Sequence, residues 1–217
     1  MSMDKLLASG QDLVEAAGVL PTATLHEAGG KIGALPAAIK PVRPGMRLAG
    51  TALPVLCPPG DNLWLHRAVY EADPGEVLVV DVGEAMEHGH WGEVLAVAAQ
   101  KRGIAGLVIN GGVRDGDQLL QRGFPVFSAS ISIRGTAKDP YGAGAIGEPV
   151  RIGGVEIRRG DLVVGDADGV VVVPADQAAA VIEKSVQREA DEQDILARLA
   201  AGECSLDIYS LPKRRDR

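Results

Sequence analysis

The chain has 217 residues, of which 46% are hydrophobic and only 3% aromatic, and its formal net charge is -7. This composition is typical of a globular α/β protein rather than a disordered or fibrous one. The acidic charge argues against a general nucleic-acid binder, because phosphate recognition needs a basic surface. No apolar run is long enough for a membrane span or a secretory signal, so we expect a cytoplasmic protein with no membrane partner.

An N-terminal segment of about residues 1–30 has apolar residues at helical spacing. Gly18 and Pro21 interrupt this pattern, so we expect two short helices there. The elements predicted up to residue 71 are two helices between residues 12 and 27, a strand within 45–56, and a helix over 63–71.

From Gly75 onward, short apolar runs alternate with helical segments. The predicted elements are strand 77–82, helix 92–102, strand 107–110, helix 115–122 and strand 125–128. Short links between them indicate right-handed parallel crossovers. Glycine-rich turns and β-branched runs over 150–173 predict a β-rich second layer, and a helix over about 175–201 follows. We therefore predict one α/β domain over residues 1–217.

Several polar groups have structural interpretations. Cys57 and Cys204 lie far apart and lack a CxxC spacing, so we expect two reduced thiols. Turn chemistry explains the acidic group Asp161, Asp166 and Asp168 better than a calcium loop does. The C-terminal basic residues are interpreted as a solvated terminus; they are Lys213, Arg214, Arg215 and Arg217.

His88 and His90 form a His-x-His pair in a glycine-containing loop. Imidazole nitrogens at this spacing can bind a transition metal. Loop surface is the leading interpretation, with a substrate contact or metal ligation as alternatives. We expect His66, on a predicted helix, to be a packing or supporting residue.

Two loops precede predicted helices at the carboxyl ends of parallel strands, where ligands bind in such sheets. Loop 83–91 leads into Gly92–Leu95, and loop 111–113 leads into Arg114 and Asp115. Free amides at the first helix start can hold a carboxylate. The Arg114 guanidinium can stabilise an oxyanion, and Asp115 is a hard oxygen ligand for Mg²⁺ or Mn²⁺. The structural alternative is helix capping and dipole compensation.

The spacing of these residues resembles a known signature. Glu93, followed after twenty residues by Arg114-Asp115, is similar to the acidic-x20-Arg-Asp motif of the 4-hydroxy-4-methyl-2-oxoglutarate/4-carboxy-4-hydroxy-2-oxoadipate aldolases. These enzymes share a superfamily with the regulator of ribonuclease E activity. The resemblance covers nearly the whole chain, through segments 20–28, 47–52, 59–62, 160–174 and 201–209.

The resemblance implies a class II pyruvate aldolase that uses Mg²⁺ or Mn²⁺ and a small 2-keto acid substrate. It implies that Asp115 holds the metal, directly or through water, and that Arg114 contacts the keto oxygen. Glu93, which stands where many of these aldolases have Asp, would act with a water in proton transfer. The substrate carboxylate would lie on the backbone amides near Gly92, Val94 and Leu95. Oxaloacetate decarboxylation, which passes through the same enolate, is an expected side activity.

The resemblance also implies a swivelling β/β/α fold, of the phosphohistidine-domain type, and a homotrimer or dimer of trimers. A carboxylate from a neighbour's terminal helix would complete each site. Glu192 is the preferred candidate, with Glu189 as the alternative. The competing function is a non-catalytic regulator that binds and inhibits a ribonuclease. Such regulators can lack the acidic residue or the Asp of the Arg-Asp pair, and this sequence has both. We expect no lysine near the motif, since Lys101 lies at the far end of its predicted helix, and so we do not expect Schiff-base chemistry.

Overall fold

The computed structural model describes residues 10–83 and 85–212. The residues predicted to be helical before Gly10 and the basic tail after Pro212 lie outside this range. The helices are α1 Gly10–Gly18, α2 Thr22–Ala28, α3 Leu63–Glu71, α4 Glu93–Lys101, α5 Gly116–Arg122, α6 Ala178–Ala200 and α7 Ser205–Ile208. The strands are β1 Lys40–Pro41, β2 Leu48–Leu56, β3 Glu76–Asp81, β4 Gly106–Val113, β5 Val126–Ile131, β6 Ala145–Ile146, β7 Val150–Ile152, β8 Val155–Ile157, β9 Leu162–Asp166 and β10 Gly169–Val173.

The predicted parallel crossovers are confirmed. Strands β2, β3, β4 and β5 lie side by side and pair in parallel. Helices α3, α4 and α5 connect them in chain order. All eight residues of β4 are buried, as expected for a central strand covered on both faces. This arrangement brings the loops after β3 and β4 to the same edge of the sheet.

The predicted β-rich second layer is wrong for β9 and β10. These strands continue the main sheet, in the order β1-β5-β4-β3-β2-β9-β10, with β6 also on β2. The physical reason is that β9 pairs antiparallel with the free edge of β2 and so extends the main sheet. All five residues of β9 are buried, as in the other central strands of that sheet. Only β7 and β8 form a separate hairpin among the described residues.

The two ends of the main sheet approach each other, so the sheet is a nearly closed barrel. Segment 33–35 pairs with β10, where Leu35 donates to Val170 at 3.0 Å. A few residues later β1 pairs with β5 at the opposite end of the sheet. This short stretch of chain therefore connects β10 to β5 and protects both edges of the sheet.

Two apolar clusters stabilise this arrangement. The larger one fills the sheet interior and the contacts with α3, α4 and α5. In the smaller one α1, α2 and the first turns of α6 cover β9 and β10. Beyond Ser185, no described residue of α6 or α7 is buried. None of the described helices is long and apolar enough to span a membrane.

The predicted structural roles are confirmed for Asp161 and Asp166. Asp161 accepts a hydrogen bond from the Ala175 amide at 3.0 Å. Asp166 accepts from the amides of Thr22 and Asp168, both at 2.9 Å. These two carboxylates therefore hold backbone amides of neighbouring segments in place.

Both cysteines are free, as predicted. Burial raises the pKa of the Cys57 thiol to about 11. This thiol therefore stays protonated at neutral pH and is a poor nucleophile.

Candidate active site

The starts of α4 and α5 lie side by side, as the sequence predicts. The Arg114 amide donates to the carbonyl of Trp91 at 2.8 Å, which joins the two loops. The Glu93 amide donates to Oδ2 of Asp115 at 3.0 Å. One carboxylate oxygen of Asp115 therefore caps the neighbouring helix. The amides of Val94 and Leu95 follow in the same first turn, where an α-helix provides no backbone acceptor.

Asp115 and Gly92 are fitted closely to each other. Asp115 has left-handed backbone angles, φ 59° and ψ 38°, which aspartate tolerates better than most residues. A Cβ atom built on Gly92 would lie 2.4 Å from Oδ2 of Asp115. Gly92 is therefore required by close approach, because its own φ of -160° is accessible to any residue. The arrangement holds the Asp115 carboxylate against the first turn of α4.

A cleft of about 260 Å³ opens at this junction. It brings together five of the predicted site residues: Gly92, Val94, Leu95, Arg114 and Asp115. The Arg114 side chain is 44% exposed, and its Nε lies 3.9 Å from Oδ2 of Asp115. At this distance the ion pair is loose, so the guanidinium has donors left for a ligand.

Glu93 was predicted to face the cleft, but its carboxylate points to Arg122 instead. Its Oε1 accepts from Nε and Nη2 of Arg122, at 2.9 and 2.7 Å. Glu93 is also absent from the residues that line the cleft. The cause is that the last turn of α5 brings Arg122 beside the first turn of α4, where it offers a two-pronged partner. A catalytic role for this carboxylate stays a prediction, and it would require the side chain to leave Arg122.

His90 is a structural residue. Its ring is fully buried, with Nε2 accepting from the Gly60 amide at 3.1 Å and Nδ1 lying 3.2 Å from the carbonyl of Gly112. Burial lowers the pKa of this ring, so it is neutral at pH 7 with the proton on Nδ1. The leading interpretation, loop surface, is therefore wrong for His90, whose ring borders the cleft from inside the fold. Both ring nitrogens have backbone partners, so neither is free to bind a metal in this arrangement.

His88 packs against His90, with the ring centroids 5.9 Å apart. Among the described residues no group of three or more His, Cys, Asp or Glu side chains could hold a metal ion. A metal in this cleft would therefore rely on few protein ligands.

The cleft also contains residues that sequence reasoning did not bring to the site. They are Asn62, His66 and Lys138. The prediction that no lysine lies near the motif is thus wrong in three dimensions. A bridge between Asp61 and Ala137 brings the loop after β5 to the cleft. No sequence spacing signals this long-range pairing, although the Pro-Gly-Asp-Asn turn does mark one of its partners.

Comparison with known proteins gives a family. A family model described as RraA-like, Aldolase/RraA, matches residues 11–172. The chain belongs to this Aldolase/RraA family. The matched range includes every residue that lines the cleft, whereas α6 lies beyond it.

Individual Aldolase/RraA relatives are similar over most of the chain. A Halalkalibacterium halodurans protein named "Putative 4-hydroxy-4-methyl-2-oxoglutarate aldolase" is 37% identical over 174 residues, which cover 80% of this chain and 82% of that protein. An uncharacterized protein from Pseudomonas syringae has a TM-score of 0.80 at 30% identity, covering 89% of this chain and 91% of its own. The RNA-processing inhibitor RraA from Thermus thermophilis has a TM-score of 0.64 at 28% identity, covering 71% and 92%.

In this Aldolase/RraA chain the two carboxylates predicted to act on a neighbouring site lie away from the cleft of their own protomer. Glu189 accepts from Oγ1 of Thr24 at 2.5 Å, which fixes it to α2. Among the described residues Glu192 forms an ion pair only with Arg188, one turn earlier, at 3.0 Å, and both side chains are about 40% exposed. Glu192 is therefore the more available of the two for a contact outside the protomer.

Proposed function

We propose that this chain is a divalent-metal-dependent class II aldolase that cleaves 4-hydroxy-4-methyl-2-oxoglutarate or 4-carboxy-4-hydroxy-2-oxoadipate. The products are pyruvate and a second keto acid. Oxaloacetate decarboxylation is the side reaction, and the enzyme acts in the cytoplasm. The observation that supports this proposal best is the cleft shared by the first-turn amides of α4, the Arg114 guanidinium and the Asp115 carboxylate.

These groups suit the demands of retro-aldol cleavage. The C4 hydroxyl gives its proton to a water, C4 becomes a carbonyl as the C3–C4 bond breaks, and the electron pair of that bond forms an enolate on the pyruvyl half. The negative charge develops on the former keto oxygen, where Arg114 donates hydrogen bonds that strengthen as the charge grows. The amides of Val94 and Leu95 hold the C1 carboxylate at the positive end of the helix dipole. A proton added to C3 then completes pyruvate.

Asp115 fits the role of metal ligand. Its carboxylate lies in the cleft beside Arg114, and a Mg²⁺ or Mn²⁺ site commonly needs only one or two protein carboxylates. Waters and the two oxygens of a 2-keto acid would fill the remaining positions. When bound, the metal supplies Lewis-acid polarisation of the keto oxygen. The Asp115 oxygen that accepts from the Glu93 amide fixes the orientation of the carboxylate.

The direct test is pyruvate release from the two proposed substrates, measured with a coupled dehydrogenase assay. We expect activity with Mg²⁺ or Mn²⁺ and at least a hundredfold loss after exhaustive chelation, restored by adding back the metal. Full activity without metal would contradict the proposal. So would a borohydride-trapped adduct on Lys138, the lysine of the cleft. Schiff-base lysines are typically desolvated in apolar pockets, whereas Lys138 is exposed.

We further propose that the active unit is a homotrimer or a dimer of trimers of the swivelling β/β/α type, in which Glu192 reaches the cleft of a neighbour. The second half of α6 supports this, since it projects from its own protomer without burying a residue. Leu196 on this half is 56% exposed. A helix with exposed apolar residues is stabilised by covering them in an assembly.

Subunit mixing tests the shared site. Arg114→Ala and Glu192→Ala should each be inactive as a pure oligomer, and mixing them under exchange conditions should restore part of the wild-type rate. The reason is that some mixed interfaces combine an intact Arg114 with an intact Glu192. Exchange is followed with differently labelled subunits. No recovery after demonstrated exchange, or an active monomer, would rule the shared site out.

A regulator of ribonuclease is the competing function, favoured by the structural likeness to the Thermus RNA-processing inhibitor. The intact cleft favours the enzyme, because inhibition by surface binding does not need Arg114 and Asp115 in this geometry. A regulator would bind a ribonuclease tightly and release no pyruvate from either substrate.

A further inference from the structure

The cleft has two walls with different origins. One wall is the α4–α5 junction that carries Arg114 and Asp115, which the proposed reaction uses for the pyruvyl half. The other wall is formed by Asn62 and His66 at the start of α3 and by Lys138 on the loop after β5.

The backbone around Lys138 is held in place on both sides. Ala137 donates to the carbonyl of Gly60 at 2.8 Å, and its own carbonyl accepts from the Asn62 amide at 3.1 Å. The Asp139 amide donates to Oδ2 of the buried Asp61 at 2.6 Å. Lys138 therefore extends from a fixed point, although the side chain itself is exposed.

The second wall also carries groups that can bind an anion, the Lys138 ammonium and the His66 ring. Lys138 makes no ion pair with any residue in the described ranges 10–83 and 85–212. Burial, and then the positive charge of Lys138, lower the pKa of His66, so its ring is neutral at pH 7 and still offers one N–H donor. One positive charge beside one neutral donor matches a single carboxylate.

We propose that Lys138 and His66 bind the carboxylate at the far end of the substrate, and that the enzyme thereby selects 2-oxo acids with a second carboxylate. This inference rests on the proposed function, which assigns the first carboxylate to the α4 amides. Asn62 precedes the first residue of the helix that carries His66. Its carbonyl accepts from the His66 amide at 3.3 Å, and its Nδ2 donates to the carbonyl of His90 at 2.9 Å.

A matched pair of non-cleavable ligands tests this subsite by calorimetry in the presence of Mg²⁺. 2-Oxoglutarate has a terminal carboxylate where 2-oxovalerate has a methyl group, and their chains have the same length. We expect the wild type to prefer 2-oxoglutarate by about tenfold or more, the range of a charge-assisted hydrogen bond. Lys138→Met should bring the ratio of the two dissociation constants close to one, and Lys138→Arg should retain most of the preference.

Because the ratio is measured within each variant, a general loss of stability cancels. Lys101→Met, at the far end of α4, removes the same charge away from the cleft and should leave the ratio at the wild-type value. A wild-type ratio near one, or an unchanged ratio in Lys138→Met, would overturn the subsite while leaving the proposed aldolase intact. If neither acid bound the wild type, the proposed function itself would fail, and the subsite with it.

Discussion

Replacing Arg114 with lysine should lower kcat for pyruvate release by about a hundredfold, with a smaller change in KM. Lysine keeps the positive charge but cannot reproduce the planar fork of donors that the guanidinium directs at an oxygen. Losing a donor to a developing oxyanion typically costs two to three orders of magnitude in kcat. The measurement is steady-state kinetics on both proposed substrates at saturating Mg²⁺.

The matched control is Arg134→Lys. Arg134 is also an exposed arginine in a simple ion pair, with Glu87 at 2.9 Å, and it does not line the cleft. We expect its kinetics to match the wild type, and both variants to melt cooperatively near the wild-type temperature. A turnover of Arg114→Lys within threefold of the wild type would mean that the guanidinium does not stabilise the reacting oxygen.

Sequence patterns predicted most of the elements because the central strands are continuous apolar runs separated by short loops. Strand β3, for instance, is a single run from Glu76 to Asp81 followed by a glycine-containing loop. What they did not predict is where β9 and β10 pair. A β-branched run has the same local pattern whether it extends an existing sheet or begins a second one. The choice depends on the free edge of β2, which is a tertiary property.

The candidate site likewise contains some residues that the sequence predicts and others that it does not. Gly92, Arg114 and Asp115 could be brought together from sequence because consecutive parallel strands end at one edge of the sheet. Lys138 could not, because it reaches the cleft through a pairing that spans more than seventy residues and has no periodic signal. The orientation of Glu93 was also beyond the sequence. Only the packing of α4 against α5 brings Arg122 to its carboxylate.

The second large effect is expected from Gly92→Ala, a change that adds one methyl group and no charge. The new Cβ would lie 2.4 Å from Oδ2 of Asp115 and 3.1 Å from Cγ of Arg114, so both side chains must move. A displacement of about 1 Å in a catalytic group can cost a hundredfold in rate. We therefore expect kcat/KM to fall by about two orders of magnitude, with weaker apparent affinity for Mg²⁺.

Stability should change much less than activity. The backbone of Gly92 is extended and suits alanine, so the cost is local overpacking of about 1–3 kcal/mol, which corresponds to a few degrees in melting temperature. Gly135→Ala is the control, because nothing lies within 4 Å of its added Cβ. Calorimetry and metal titration of the two variants separate the effects. If Gly92→Ala kept wild-type activity and metal affinity, the position of the Asp115 carboxylate against α4 would not matter for the reaction.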